Sequence, residues 1–340
     1  MNATYDALIL VSFGGPEGPD DVMPFLENVL RGRDVPRQRM LDVSEHYMAF
    51  GGVSPMNENN RGLISLLERE LADHDMSLPI YFGNRNWHPM LAETLEQMKE
   101  DGIKRALAIV TSGYGSYSSC RQYRENLEEA RKIVGEGAPE VDKLRLFFNH
   151  PGFLESMVAC TRRAIMQVEE ERRSDCQLLF TAHSIPLSMA VGCQYASQLE
   201  EVSRLVAAET ATSNFELVYQ SRSGSPQQPW LEPDICDQIQ ESAECGVKDV
   251  VVVPVGFISP HMEILFDLDI AARELCEQLG ITMVRADTVG REPRFIAMLR
   301  ELINERIREE TPLAVGNLEA PPHVCEADCC PIGVSGGRPG

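Results

Sequence analysis

Short apolar runs alternate along this chain with longer stretches in which apolar residues return every third or fourth position. The short runs predict strands: "DALILVSF" (6–13), "PIYFGN" (79–84), "ALAIVTS" (106–112) and "KLRLFFN" (143–149), then "QLLFTAH" (177–183), "FELVYQS" (215–221), "DVVVVPVG" (249–256) and "ITMVRA" (281–286). They are β-branched and almost unbroken, as expected of parallel strands covered on both faces. The longer stretches predict amphipathic helices. Val22, Phe25, Leu26, Val29 and Leu30 make one stripe, with Asp20 or Asp21 as cap and Pro24 in the first turn. Leu63, Leu66, Leu67 and Leu71 make a second, and Phe153, Met157, Thr161, Ala164 and Val168 a third. A fourth runs through Leu199, Val202, Leu205 and Val206, and a fifth through Leu265, Leu268, Ala272, Leu275 and Leu279.

Strand and helix alternate twice over. The prediction is an α/β protein of two similar Rossmann-like halves, each a roughly four-stranded parallel sheet flanked by helices. The halves span 1–150 and 151–290, a terminal helix (291–312) packs back on them, and a Pro- and Gly-rich tail (313–340) has no periodicity and would be disordered alone. A chain of 340 residues suits two domains of ordinary size.

Composition sharpens this picture in three ways. The net charge of −21 excludes nonspecific nucleic-acid binding, which needs basic surface, and any anionic ligand must find local Arg, Lys or Tyr groups. No apolar run approaches the roughly 20 residues of a membrane span, and the start has no basic region before its apolar run, so a cytoplasmic protein is expected. Ten cysteines fit no disulfide framework in that compartment; seven are scattered from Cys120 to Cys276, whereas Cys325, Cys329 and Cys330 crowd the tail.

Ligands of parallel α/β sheets bind beyond the carboxyl ends of the strands. That rule selects His183 at the end of one predicted strand and His261, Glu263, Asp267 and Asp269 just past another. An imidazole and a carboxylate facing one cleft can hold a divalent cation such as Fe²⁺, and an imidazole accepts protons near neutral pH. In the first half, "SFGGPEG" lacks the spacing of a phosphate loop, so its glycines are expected to admit close backbone approach to a ligand. The tail motif "CEADCC" presents three thiolates, one short of a four-cysteine site for zinc or an iron–sulfur cluster. Spacing leaves the fourth ligand open among seven cysteines.

Together "SFGGPEG", "HYMAFGGVSPMN", "SGYGSYSSCRQY", "TAHSIP", "YQSRSGSPQQPWLEP" and "PVGFISPHMEILFDLD" resemble the ferrochelatases, in order and at compatible spacing from residue 12 to about 270. The resemblance implies the chelatase-like fold and insertion of ferrous iron into a porphyrin. It implies that His183 and Glu263 face each other across the porphyrin and that Asp267 and Asp269 extend an acidic track behind Glu263. It also implies that Ser54 and Tyr123 touch propionates, that Arg31 and Arg33 pair with substrate carboxylates, and that Tyr47 lines the pocket. Glu17 stands where some relatives carry a tyrosine near the metal. A subgroup of the family holds a 2Fe–2S cluster on three C-terminal cysteines and one internal cysteine, which here implies Cys325, Cys329, Cys330 and Cys160. The forms "GGVSP" and "GSYSSCRQY" look like the bacterial coproporphyrin III branch, with protoporphyrin IX the alternative, and other proteins of haem synthesis as partners. A cobalt or nickel chelatase, and a non-catalytic tetrapyrrole carrier or iron–sulfur sensor, are the competing readings.

Overall fold

Most of the runs and stripes settle into strands and helices much where their periodicity places them. The computed structural model describes residues 5–32, 35–224 and 227–333. The first half contains β1 (Ala7–Ser12), α1 (Pro19–Val29), α2 (Arg37–Met48), α3 (Met56–Ala72), β2 (Ile80–Asn84), α4 (Leu91–Glu100), β3 (Arg105–Val110), α5 (Gln122–Val134) and β4 (Glu140–Lys143). The second contains α6 (Pro151–Ile165), β5 (Gln177–His183), α7 (Leu187–Ala190), α8 (Tyr195–Glu209), β6 (Phe215–Gln220), α9 (Ile235–Glu244), β7 (Asp249–Val253), a π-helix (Ile264–Ala272), α10 (Arg273–Leu279), β8 (Thr282–Arg285) and α11 (Pro293–Arg308). Each half has a four-stranded sheet, ordered β2-β1-β3-β4 and β6-β5-β7-β8, and every pairing is parallel.

Both faces of each sheet are covered, which is why the central strands are apolar throughout. A single core joins the facing sides: Leu8 and Leu10 of β1, Leu178 and Phe180 of β5, Phe153 and Met157 of α6, and Phe295, Leu299 and Leu302 of α11. Separate clusters fill the outer faces. The terminal helix α11 packs on α6 and on α3, so it ties the two halves together.

Two local expectations are corrected. The fourth strand of the first sheet is Glu140–Lys143, not 143–149. An edge strand is half exposed and carries no apolar run; Leu144, Leu146, Phe147 and Phe148 are instead buried in the irregular connection between the sheets. Helix α1 starts earlier than its stripe suggests, with Gly18 as N-cap and Pro19 at N1, so Pro24 lies inside the helix and the two aspartates occupy the first turn.

The tail is irregular yet fastened. Arg145 and Glu305 form a buried two-pronged ion pair at 2.6 and 3.0 Å. The same Glu305 accepts the Leu313 N–H at 2.8 Å, and Arg145 donates to the Leu313 carbonyl at 2.8 Å. Removing one member of such a pair costs about 3–5 kcal/mol, because the other is left charged in the interior. Further along, the Asn149 amide donates to the carbonyls of Leu318 and Glu319, and Glu201 accepts the Asn317 N–H at 2.6 Å. Among the described residues no helix is long and apolar enough to cross a membrane.

Candidate active site

His183 is the last residue of β5, and its neighbour in the ladder is Gln220, the last residue of β6. The Ser184 N–H still donates to the Gln220 carbonyl at 2.8 Å before the chain turns away at Pro186. The imidazole Nδ1 faces the Ser184 carbonyl, which leaves Nε2 pointing at Glu263 Oε1, 3.4 Å away. About a third of the His183 side chain (33%) and nearly half of that of Glu263 (44%) stay open to the cleft. The pair that the strand-end rule singled out is therefore assembled, although eighty positions separate its members.

Glu263 opens the π-helix. Its N–H donates to His261 Nδ1 at 3.2 Å, and His261 packs edge-on against Phe257. Winding with i→i+5 bonds keeps residues four apart in line, and such turns recur at functional sites. Ile264, Leu268, Ala272 and Cys276 form the buried line, one position off the stripe expected at Leu265 and Leu275. The adjacent line brings Glu263 and Asp267 together: Gln220 Nε2 donates to the Glu263 carbonyl (3.0 Å) and to Asp267 Oδ2 (3.4 Å), and Ser221 hydroxyl also binds Asp267. Asp269 does not join this track. It is two residues on, faces away, and is paired with Arg285 at 2.6 Å and Arg273 at 3.8 Å.

Charge follows from this geometry. Burial alone would lower the His183 pKa, but the Glu263 carboxylate, the Ser184 carbonyl and Asp267 outweigh it and raise the value to about 9. Burial would likewise raise Glu263, yet the charge and hydrogen bond of His183, with His261, hold it well below the carboxylate range. Burial lifts Asp267 to about 6, against the hydrogen bond of Ser221 and with the charge of Glu263. The cleft thus carries an imidazolium–carboxylate pair and, beside it, a carboxyl that can hold a proton near neutrality.

The first half supplies the opposite wall. His46 of α2 stacks on Phe266 of the π-helix at 3.6 Å and 14°. Tyr47 packs edge-on against Phe25, and the field of Glu263 reaches it and Tyr123. Burial raises both phenols, so they stay protonated donors. Arg85, which sequence reasoning passed over, lies 4.6 Å above the Tyr123 ring and 5.6 Å from that of Phe13. Arg31 is exposed just after α1, and Arg33 lies outside the described residues. Ser54 is 4% exposed, tucked behind the glycine turn. A Cβ on Gly15 would sit 2.6 Å from Ser54 Cβ, and one on Gly14, at φ +88°, would meet Asn84 and the Trp87 nitrogen. The space that these glycines leave is taken by neighbouring protein atoms. Glu17 is bound to Arg61 at 2.6 Å.

The cysteines of the expected cluster set fall in two places. Cys160 is buried in α6, where its sulfur accepts from Arg163 at 3.3 Å and its charged neighbours are Glu292, Arg163 and Asp287. The tail cysteines lie elsewhere. Cys325 and Cys330 each feel Cys120 and Cys329, and Arg121 and Arg124 of the α5 start hold the Cys329 carbonyl and the Glu326 and Ala327 carbonyls. Outside the tail, the thiol that both Cys325 and Cys330 feel is Cys120, in the turn before α5, and Cys330 also feels Cys193. Four thiols are the donor set of a 2Fe–2S cluster, although among the described residues no three His, Cys, Asp or Glu side chains are yet arranged as a metal cage.

Two like parallel sheets, with an imidazole–carboxylate pair at the carboxyl end of the second, define a chelatase-class architecture. SirB from Bacillus subtilis with Fe³⁺ has the same fold: TM-score 0.54 at 8% identity, over 89% of this chain and 96% of that one. A family model described as ferrochelatase matches residues 5–307. The ferrochelatase of Rhodopirellula baltica is 52% identical over 98% of this chain and 97% of its own length. The coproporphyrin III ferrochelatase of Streptomyces coelicolor is 49% identical over 96% and 93%. The chain belongs to the ferrochelatase family, lyases that insert a metal into a porphyrin.

Proposed function

We propose that this chain inserts Fe²⁺ into coproporphyrin III. The observation that carries the reading is the His183 Nε2–Glu263 Oε1 pair at 3.4 Å, open to a cleft walled by aromatic and phenolic side chains. Insertion exchanges two pyrrole N–H protons for one dication and involves no redox change. His183 takes a pyrrole proton once its own has left, and Fe²⁺ arriving at Glu263 removes the charge that holds that proton in place. Glu263 offers the metal an oxygen ligand, and Asp267 receives protons on the way out. Asp269 has no part in this.

Substrate carboxylates must be met locally, because the whole protein repels them. Tyr47, Tyr123 and Arg31 are the rim groups assigned to them; Ser54 lies behind that rim, and Arg33 is outside the described residues. Four carboxylates suit such a rim better than two. Relatives that carry the name coproporphyrin III ferrochelatase recur at 46–49% identity, which supports the same branch. The cofactor reading is a 2Fe–2S cluster on Cys120, Cys325, Cys329 and Cys330, a group that would anchor the tail and takes no step in the chemistry.

The test is an anaerobic insertion assay followed in the visible bands, with coproporphyrin III and protoporphyrin IX in parallel. The expected kcat/KM for coproporphyrin III is higher by about tenfold or more, since pocket donors left without carboxylates are costly. Equal or better use of protoporphyrin IX overturns the substrate assignment. Insertion of cobalt or nickel without iron overturns the metal.

A further inference from the structure

Gln220 joins the two poles of the site. Its backbone carbonyl accepts the Ser184 N–H at 2.8 Å, and its strand position is paired with His183. Its side-chain amide donates to the Glu263 carbonyl at 3.0 Å and to Asp267 at 3.4 Å. The side chain is 1% exposed, so its two faces are not interchangeable. The Thr181 hydroxyl, itself fully buried, donates to Gln220 Oε1 at 2.8 Å and thereby turns the amide nitrogen toward the π-helix.

We infer that Gln220 is a positioning residue for metal insertion, oriented by Thr181, and that it sets the separation of His183 and Glu263. The physical reason lies in the neighbouring elements. The π-helix is irregular, and the Glu263 carbonyl at its entry is tied to a strand by the Gln220 amide. Among the described residues no other ladder partner of β5 grips that entry: β5 pairs with β7 only from Gln177 to Phe180, three residues short of the histidine. Without the amide, the Glu263 carbonyl loses its tie to β6, and a shift of an ångström relative to an imidazole fixed on a strand is enough to slow a reaction strongly.

This inference rests on the insertion reaction proposed above, so the wild-type enzyme is assayed alongside; if it inserts no metal, that reading fails rather than this one. The variants are Gln220→Leu, Thr181→Val and the double variant, in the full chain. Gln220→Leu is expected to lower kcat about tenfold or more, the effect of losing a buried hydrogen bond at the reacting centre. Porphyrin binding, read by fluorescence quenching, is expected to stay within about threefold of wild type. Thr181→Val is expected to lower kcat in the same direction with binding kept, and the double variant to be no slower than Gln220→Leu alone, because both changes break one chain of contacts. Unchanged kcat in the folded single variants overturns the inference. So does a loss that only follows the folded fraction, or additive losses in the double variant. If Gln220→Leu does not fold, Thr181→Val decides alone, since it removes one hydroxyl from a position of unchanged shape.

Discussion

At the scale of single residues, the site is a balance between burial and charge. His183 and Glu263 shift in opposite directions because each stabilises the charged form of the other. For His183 the folded value, about 9, is above the ordinary 6.5. Its contribution to stability is therefore complete below about pH 6.5 and fades as pH rises through about 9. Glu263 acts with the opposite sign: its contribution is present above the ordinary carboxylate value of 4.5 and is lost in acid. Replacing the carboxylate tests the coupling. In Glu263→Gln, the His183 ring titrated by NMR is expected to lose its proton at lower pH than in wild type, by a unit or so. A midpoint that does not move would show that the imidazole is held by something other than its partner.

At the scale of elements, the π-helix decides which acids matter. The sequence "FDLD" reads as one acidic track, but residues two apart on a helix look in different directions. Asp267 meets Ser221 and Gln220 at the cleft, whereas Asp269 is spent on Arg285 of β8. Asp267→Asn is therefore expected to slow insertion about tenfold or more, through the loss of a proton-carrying group. Asp269→Asn should stay within about twofold, with its effect confined to stability, where loss of the part-buried bond to Arg285 costs about 1–3 kcal/mol. Comparable losses of kcat in the two variants would restore the longer track. The strand ends were the legible part: a histidine terminating an apolar run, and a glutamate just past another, needed only the rule that parallel sheets bind at their carboxyl ends. The winding of the helix was not legible, since Leu265, Leu268 and Leu275 also fit an ordinary 3.6-residue period.

At the scale of the whole molecule, the tail and the halves are one structure. Residues 313–333 have no element of their own, yet they run from the Arg145–Glu305 pair past Asn149 and Glu201 to the start of α5. They reach Gly192, against which Pro331 lies, and Ser188, against which Gly333 lies, on α7 and the turn after it, just beyond His183. For the cluster, anaerobically purified Cys120→Ser is expected to lose the visible absorption of an iron–sulfur centre while Cys160→Ser keeps it. The reverse result would return the fourth ligand to α6, and a colourless wild-type protein without sulfide would remove the cluster altogether. The chain by itself determined the two α/β halves, the parallel order implied by unbroken apolar strands, and the family motifs, because periodicity and motif spacing are local properties of a sequence. Only the tertiary structure decided that Cys120 and Cys193 rather than Cys160 adjoin the tail, that Asp269 is taken by Arg285, that Ser54 lies behind a glycine turn, and that Gln220 bridges two elements. Each of those is a contest among distant side chains for one place, and packing settles it where no spacing along the chain can.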